Sequence, residues 1–222
     1  MSESVRMRRV RALLISEKLK KLFPKASTVL RYSGPWELLV AVMLSAQCTD
    51  KKVNEVTEKL FAKYRNLSDY VEADPREFEQ DIRPTGFYRS KAKHILRAAR
   101  MIQERFGGKV PCAMEELLEL PGVARKTANI VLGLACGKVE GIPVDTHVRR
   151  FALRFALTKH TDPVKIEKDL MELLPREEWL SITFRLIEYG RSICPARPHE
   201  CSEHPLTHLY PKAAEIWPKA KG

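Results

Sequence analysis

The sequence predicts an all-α protein. Apolar residues recur at helical spacing along most of the 222 residues, no alternating run long enough for a strand interrupts them, and Pro and Gly fall at the joints between periodic stretches. Residues 5–23 read as a basic amphipathic helix that Pro24 stops. Residues 36–46 are apolar nearly all round, the pattern of a helix buried at the centre of a domain. Helices follow at 52–63, 67–73, 75–82 and 90–106. The run 114–120 is broken by Pro121-Gly122, and 125–134 starts another helix almost at once. Beyond Asp145, helices are expected at 146–156, 163–174 and 179–192, with the proline-rich remainder in loops.

Composition narrows the class of function. A 44% hydrophobic content is ordinary for a globule, and 222 residues can bury one large core or two small ones. The 39 Lys and Arg outnumber 28 Asp and Glu, a formal net charge of +11 that points to a polyanionic partner, although solvated lysines alone produce many basic proteins. No apolar run has membrane-spanning length, and the N-terminal MSESVRMRRVRALL lacks the long apolar core and cleavage site of a signal peptide. A cytoplasmic, nucleoid-associated protein with no membrane partner is expected. Five cysteines at irregular spacing do not describe a secreted disulfide framework.

The chemistry concentrates in Leu120-Pro121-Gly122-Val123-Ala124-Arg125-Lys126-Thr127-Ala128 and, nineteen residues past its lysine, in Asp145 of Val144-Asp145-Thr146-His147. A tight glycine turn running straight into a helix exposes first-turn backbone N–H groups that can hold a phosphate. Lys126, in that first turn, sits where the positive end of the helix dipole disfavours a second positive charge. Partial burial would act in the same direction, raising the fraction of free amine able to attack an electrophile. Asp145 reads as the N-cap of the helix after it.

This arrangement resembles the helix-hairpin-helix of the endonuclease III family of DNA glycosylases, with its LPGVGRKTA hairpin and downstream VDTH. Residues 36–50 (WELLVAVMLSAQCTD), 85–92 (TGFYRSKA) and 189–198 (YGRSICPARP) resemble the family's other signatures in order, so the likeness covers roughly residues 30–205. The resemblance implies two lobes with DNA across the cleft between them. One is a six-helix barrel over residues 27–138; the other combines 1–26 with 139–222.

It also implies roles. Lys126 would attack C1′ of the deoxyribose, expel the damaged base and form a Schiff base, after which β-elimination breaks the strand 3′ of the site. Asp145 would assist deprotonation of the nucleophile and stabilise the cationic sugar. Gly122, Ala124, Arg125 and Thr127 would grip phosphate, with a bound monovalent cation as in relatives; His147, a lone histidine in a helix's first turn, is expected to support the site from behind or to pack. Gln47 would fill the gap left by the extruded base, and Phe87, where the family usually has Leu, would wedge into the opposite strand. The residues also admit plainer readings: Lys126 as a surface lysine on phosphate, Phe87 as a core aromatic beside Tyr88, Gln47 as a polar helix end. Ala124 stands where the hairpin usually carries glycine and would be strained if the position required positive φ.

The C-terminal segment departs furthest. The family's C-x6-C-x2-C-x5-C pattern, which ligates a 4Fe-4S cluster, lands here on Cys194, Cys201, His204 and Tyr210, a poor ligand set for such a cluster. Loss of the cluster is expected, with no cofactor required for catalysis. A zinc site from Cys194, Cys201, His204 and His208 is the alternative, and a metal-free packed loop, with Trp217 or the proline-rich stretch compensating, is the plain reading. The expected partner is double-stranded DNA carrying damaged bases, with oxidised or ring-saturated pyrimidines as the lesion class, or abasic sites, acted on by a monomer. Three rivals share the hairpin: a thymine or uracil mismatch glycosylase, whose members often replace the lysine, a non-catalytic DNA-binding module, and an adenine-mismatch glycosylase. An adenine-mismatch glycosylase would need a glutamate near Ala41 and would lack Lys126.

Overall fold

In the computed structural model, described over residues 4–215, the chain is helical and no β-strand occurs among the described residues. The helices are α1 (Val5–Leu22), α2 (Pro35–Leu44), α3 (Asp50–Lys63), α4 (Leu67–Glu72), α5 (Pro75–Asp81), α6 (Tyr88–Arg105), α7 (Met114–Glu119), α8 (Arg125–Ala135), α9 (Thr146–Arg154), α10 (Pro163–Leu173) and α11 (Trp179–Ser192). Each expected helix is present, mostly ending one or two residues early. The tail expected to be loop contains 3-10 turns at Thr207–Leu209 and Pro211–Ala214. Trp217 lies outside the described residues. None of the helices described is long and apolar enough to cross a membrane.

Helix starts follow local chemistry. Thr49, Asp74 and Asp162 accept backbone N–H groups at the heads of α3, α5 and α10, and Asn66 with Asp69 forms a reciprocal capping box on α4. Pro35, Pro75 and Pro163 occupy first-turn positions, where proline forfeits no helical hydrogen bond. At the other end of α6, Gly107 and Gly108 take positive φ and the Gly108 N–H bonds the Ile102 carbonyl, closing the helix.

The contacts divide the chain into two compact units, Val29–Glu140 and the remainder from both ends, up to Thr28 and from Gly141 onward. In the first, α2 is the central element: Leu38 through Leu44 are all buried, because none of the seven is polar. From its first turn Trp36 meets Tyr70 edge-on, and Tyr64, Tyr70 and Phe78 continue the aromatic group, edge-on at Phe78 and tilted between the two tyrosines. In the second, α1 packs on α10 and α11 through Ala12, Ile15 and Leu19. Arg11 fastens it by donating to the Phe155 and Ala156 carbonyls. The basic α1 is less cleanly amphipathic than its sequence suggests, since Met7, Val10 and Leu14 are exposed.

Two of the five cysteines form a disulfide, Cys112–Cys136, with Cα atoms 5.8 Å apart and a sequence separation of 24. The bridge joins the segment before α7 to the residue capping α8, so the whole hairpin lies inside the closed loop. A loop of this length removes enough unfolded-state entropy to stabilise by roughly 3 kcal/mol. Reduction, or the double change Cys112→Ser and Cys136→Ser, is expected to lower the denaturant midpoint accordingly. Identical unfolding curves with and without reductant would show that the bridge contributes nothing.

Candidate active site

The hairpin is built by three backbone features. Leu120 ends α7, the Val123 N–H bonds back to the Leu120 carbonyl, and Gly122 holds φ +80°. A Cβ on Gly122 would also fall 2.8 Å from His94 Cβ, so glycine is required twice, for conformation and for the close approach to α6. Ala124, by contrast, is extended at φ −95° and bears no strain; the positive φ falls on Gly122 alone in this turn. As N-cap of α8, Ala124 offers no side-chain acceptor, and the first turn carries no acidic residue. The positive end of the helix is therefore left without a negative side chain of its own, the condition under which it attracts an external anion. Arg125 and Thr127 are half-buried. Lys126 is exposed, so the partial burial expected of it is absent and the helix terminus is its distinguishing surrounding.

Gln47 and Phe87 share a property that the sequence does not display. Both are exposed, and both adopt left-handed backbone conformations, at φ 52° and 48°. Only three non-glycine residues among those described do so. Such conformations cost free energy in side-chain-bearing residues and concentrate where the surroundings impose them for function. Phe87 is 65% exposed, which rules out the core reading. α2 ends at Leu44, so Gln47 sits in the turn beyond it rather than on its last turn.

One residue inside the TGFYRSKA signature went unnoticed in the sequence. Lys91 is buried, and its Nζ donates to the Leu44 carbonyl at 2.8 Å and to the Thr85 carbonyl at 2.8 Å. Leu44 lies three residues before Gln47 and Thr85 two before Phe87. A single ammonium thus ties together the chain segments that present both exposed left-handed residues. Burial pushes its pKa down, while the two carbonyl dipoles satisfy its donors. Its signal in the sequence was a lysine among Ala92, Ile95 and Ala99, on the apolar face of α6.

Asp145 belongs to the other unit. Its side chain is half-buried, and Oδ1 accepts the Val148 N–H at 2.8 Å, so it is the N-cap of α9. His147, in the first turn of α9, lies against Gly190 of α11: a Cβ there would fall 2.2 Å from His147 Nδ1 and 2.8 Å from Arg150 Nη2. That contact accounts for the packing role expected of His147 and for the glycine in Tyr189-Gly190-Arg191.

The C-terminal cysteines do not fit a four-iron cluster. Cys194 and Cys201 are buried and unbridged, and both sulfurs accept from Arg154, Nη1 to Cys194 Sγ at 2.9 Å and Nη2 to Cys201 Sγ at 2.5 Å. Tyr210, at the fourth position of the pattern, lies under the Arg11 guanidinium, 4.4 Å from the ring centroid. Burial pushes the Cys194 thiol pKa up, partly offset by Arg154 and Arg150. The metal-ligand group among the described residues consists of Cys194, His199 and His204. Cys201 is turned to Arg154. His208 is exposed and 3.3 Å from a Glu203 carboxylate oxygen, so of the four residues expected to hold zinc this group contains Cys194 and His204.

Comparison with known proteins agrees with this geometry. Residues 40–176 match the model of the HhH-GPD superfamily base excision DNA repair proteins. The chain is 50% identical to endonuclease III of Synechocystis sp., covering 95% of this chain and 94% of that protein. It is 47% identical to endonuclease III of Bacillus subtilis, covering 87% and 88%. A solved non-covalent endonuclease III–DNA complex superposes with a TM-score of 0.88 at 42% identity, covering 93% of this chain and 97% of the other.

Proposed function

Since the chain belongs to the HhH-GPD superfamily of base excision DNA repair proteins, and within it to the endonuclease III family, we propose that it is a bifunctional DNA glycosylase and AP lyase. Its substrates are oxidised or ring-saturated pyrimidines in duplex DNA, and abasic sites, and it acts as a monomer associated with the nucleoid. The observation that carries the lyase half is a lysine, Lys126, in the first turn of a helix that follows directly on a glycine turn and has no side-chain cap.

The steps use this chain's own residues. The hairpin N–H groups with Arg125 and Thr127 hold the backbone phosphate, which fixes the register of the strand. The damaged nucleotide is extruded, at a cost of about a few kcal/mol that falls when the base stacks poorly. Gln47 occupies the vacated space while Phe87 stacks against the opposite strand; their exposure and imposed backbone conformations support those roles. The Lys126 amine attacks C1′ as the base departs, and Asp145 takes up the amine proton and opposes the positive charge on the sugar. Ring opening yields the Schiff base; loss of a C2′ proton then expels the 3′ phosphate. These steps draw on no metal or cofactor.

Incubation with duplexes carrying thymine glycol, uracil, an abasic site or an adenine mismatch, with and without borohydride, tests the proposal. A trapped adduct with 3′ cleavage on thymine glycol is expected. Excision confined to mismatched thymine or uracil without trapping would replace it with a monofunctional glycosylase, and binding without chemistry would reduce it to a DNA-binding module.

Lys91 should matter here without touching DNA. Lys91→Met preserves the apolar stem but leaves two buried carbonyls without their donor, each worth about 1–3 kcal/mol. If about 1.4 kcal/mol of that reaches the extruded state, excision falls roughly tenfold. Single-turnover excision is expected to drop more for a stably paired lesion than for an abasic site, where no base needs extruding. Equal losses on both substrates would assign Lys91 to general stability alone.

A further inference from the structure

We propose that Cys194, His199 and His204 bind one divalent transition ion of the zinc class, a mononuclear site independent of the glycosylase reading. The Cys194 sulfur and one ring nitrogen from each histidine all lie within 4.8 Å of one another. A tetrahedral ion with bonds of about 2.0–2.3 Å sets neighbouring ligand atoms roughly 3.5 Å apart, a contraction that side-chain rotation supplies.

Three further features point the same way. The His204 Nδ1 is buried and has no hydrogen-bond partner among the described residues, a condition native interiors rarely tolerate unless something not yet placed satisfies the atom. The His199 Nδ1 lies 2.8 Å from the Arg197 carbonyl oxygen. A carbonyl can only accept, so Nδ1 carries the proton and Nε2 keeps its lone pair, the tautomer that metal-binding histidines are given by such carbonyls. The two imidazoles lie 5.0 Å apart, centroid to centroid, and their planes differ by 30°.

The surroundings suit a single ion better than a cluster. Arg154 donates to the Cys194 sulfur and orients it. The same guanidinium holds Cys201, leaving one thiolate and two imidazoles as protein ligands and a fourth position for water. Cys194 lies two residues past the end of α11, whereas His199 and His204 lie further along the segment after it, so the ion ties that segment to the helix end.

Cobalt substitutes for zinc and reports coordination by its colour. The full-length chain, purified, stripped with chelator and titrated with cobalt, is expected to bind one equivalent. It should show the intense visible bands of a tetrahedral site and a thiolate-to-cobalt charge-transfer band, both lost on adding zinc. His204→Ala and His199→Ala should each weaken binding by more than the roughly 10–100-fold that outer partners of metal ligands contribute. Cys201→Ser and His208→Ala should bind as the parent does. Metal-free melting curves check that each variant folds, and if one histidine variant does not, the other decides. Absence of cobalt binding, unchanged affinity in the folded histidine variants, or loss of binding in His208→Ala would overturn the site. So would purification of a brown protein with iron and sulfide.

Discussion

Lys126→Gln is expected to abolish borohydride trapping on lesion-containing duplex and to lower single-turnover strand cleavage by on the order of 10⁴-fold or more, the scale on which loss of a covalent nucleophile acts. Glutamine keeps most of lysine's aliphatic stem, one atom shorter, and its helix propensity, but has no nucleophilic amine. The turn of Gly122 and Val123 and the backbone of α8 do not depend on the Lys126 side chain, which is exposed. Binding to an abasic-site analogue should therefore persist within a few-fold, apart from the modest loss of one cation near phosphate. Arg125→Gln is the contrasting variant: weaker binding and a shallower salt dependence, with trapping retained at saturating protein. Trapping of Lys126→Gln at the parental yield would place the Schiff base on another amine.

The sequence displayed the helices clearly because caps and apolar periodicity are local. Thr49, Asn66, Asp74 and Asp162 announce helix starts from within three residues of the backbone groups they satisfy. What it hid was imposed from further away. Residue 88, not 90, begins α6 because Phe87 turns the chain through a left-handed conformation that an aromatic residue does not advertise. The same holds for Gln47, and it is why the buried helix stops at Leu44. Lys91 stands on the apolar face of α6 without declaring a role, because only the fold brings the Leu44 and Thr85 carbonyls to its ammonium. Cys112 and Cys136 are paired by the return of α8 alongside α7, which no spacing encodes. At the C-terminus, counting positions from a four-cysteine pattern ended on Tyr210, and the zinc alternative took His208 in its place and passed over His199, whereas the chain path places His199 beside His204.

Asp145→Asn separates capping from chemistry. Asparagine is as good an N-cap as aspartate, and its amide oxygen can accept the Val148 N–H as Oδ1 does at 2.8 Å. Stability should accordingly change by less than about 0.5 kcal/mol. The negative charge, however, is gone, and with it both the acceptor for the amine proton and the field that steadies the cationic sugar. Base excision in a single turnover is expected to fall roughly 10²–10⁴-fold, the range spanned by lost general-base and electrostatic contributions. Binding to an abasic analogue should tighten slightly or hold, since a carboxylate near the phosphate backbone opposes association. Asp145→Ala supplies the complementary measurement: it loses the cap as well, with about 0.5–2 kcal/mol of stability, while its catalytic defect should match that of the asparagine variant. If Asp145→Asn excises at the parental rate and only Asp145→Ala is impaired, the carboxylate is a helix cap and the charge that assists Lys126 must come from elsewhere.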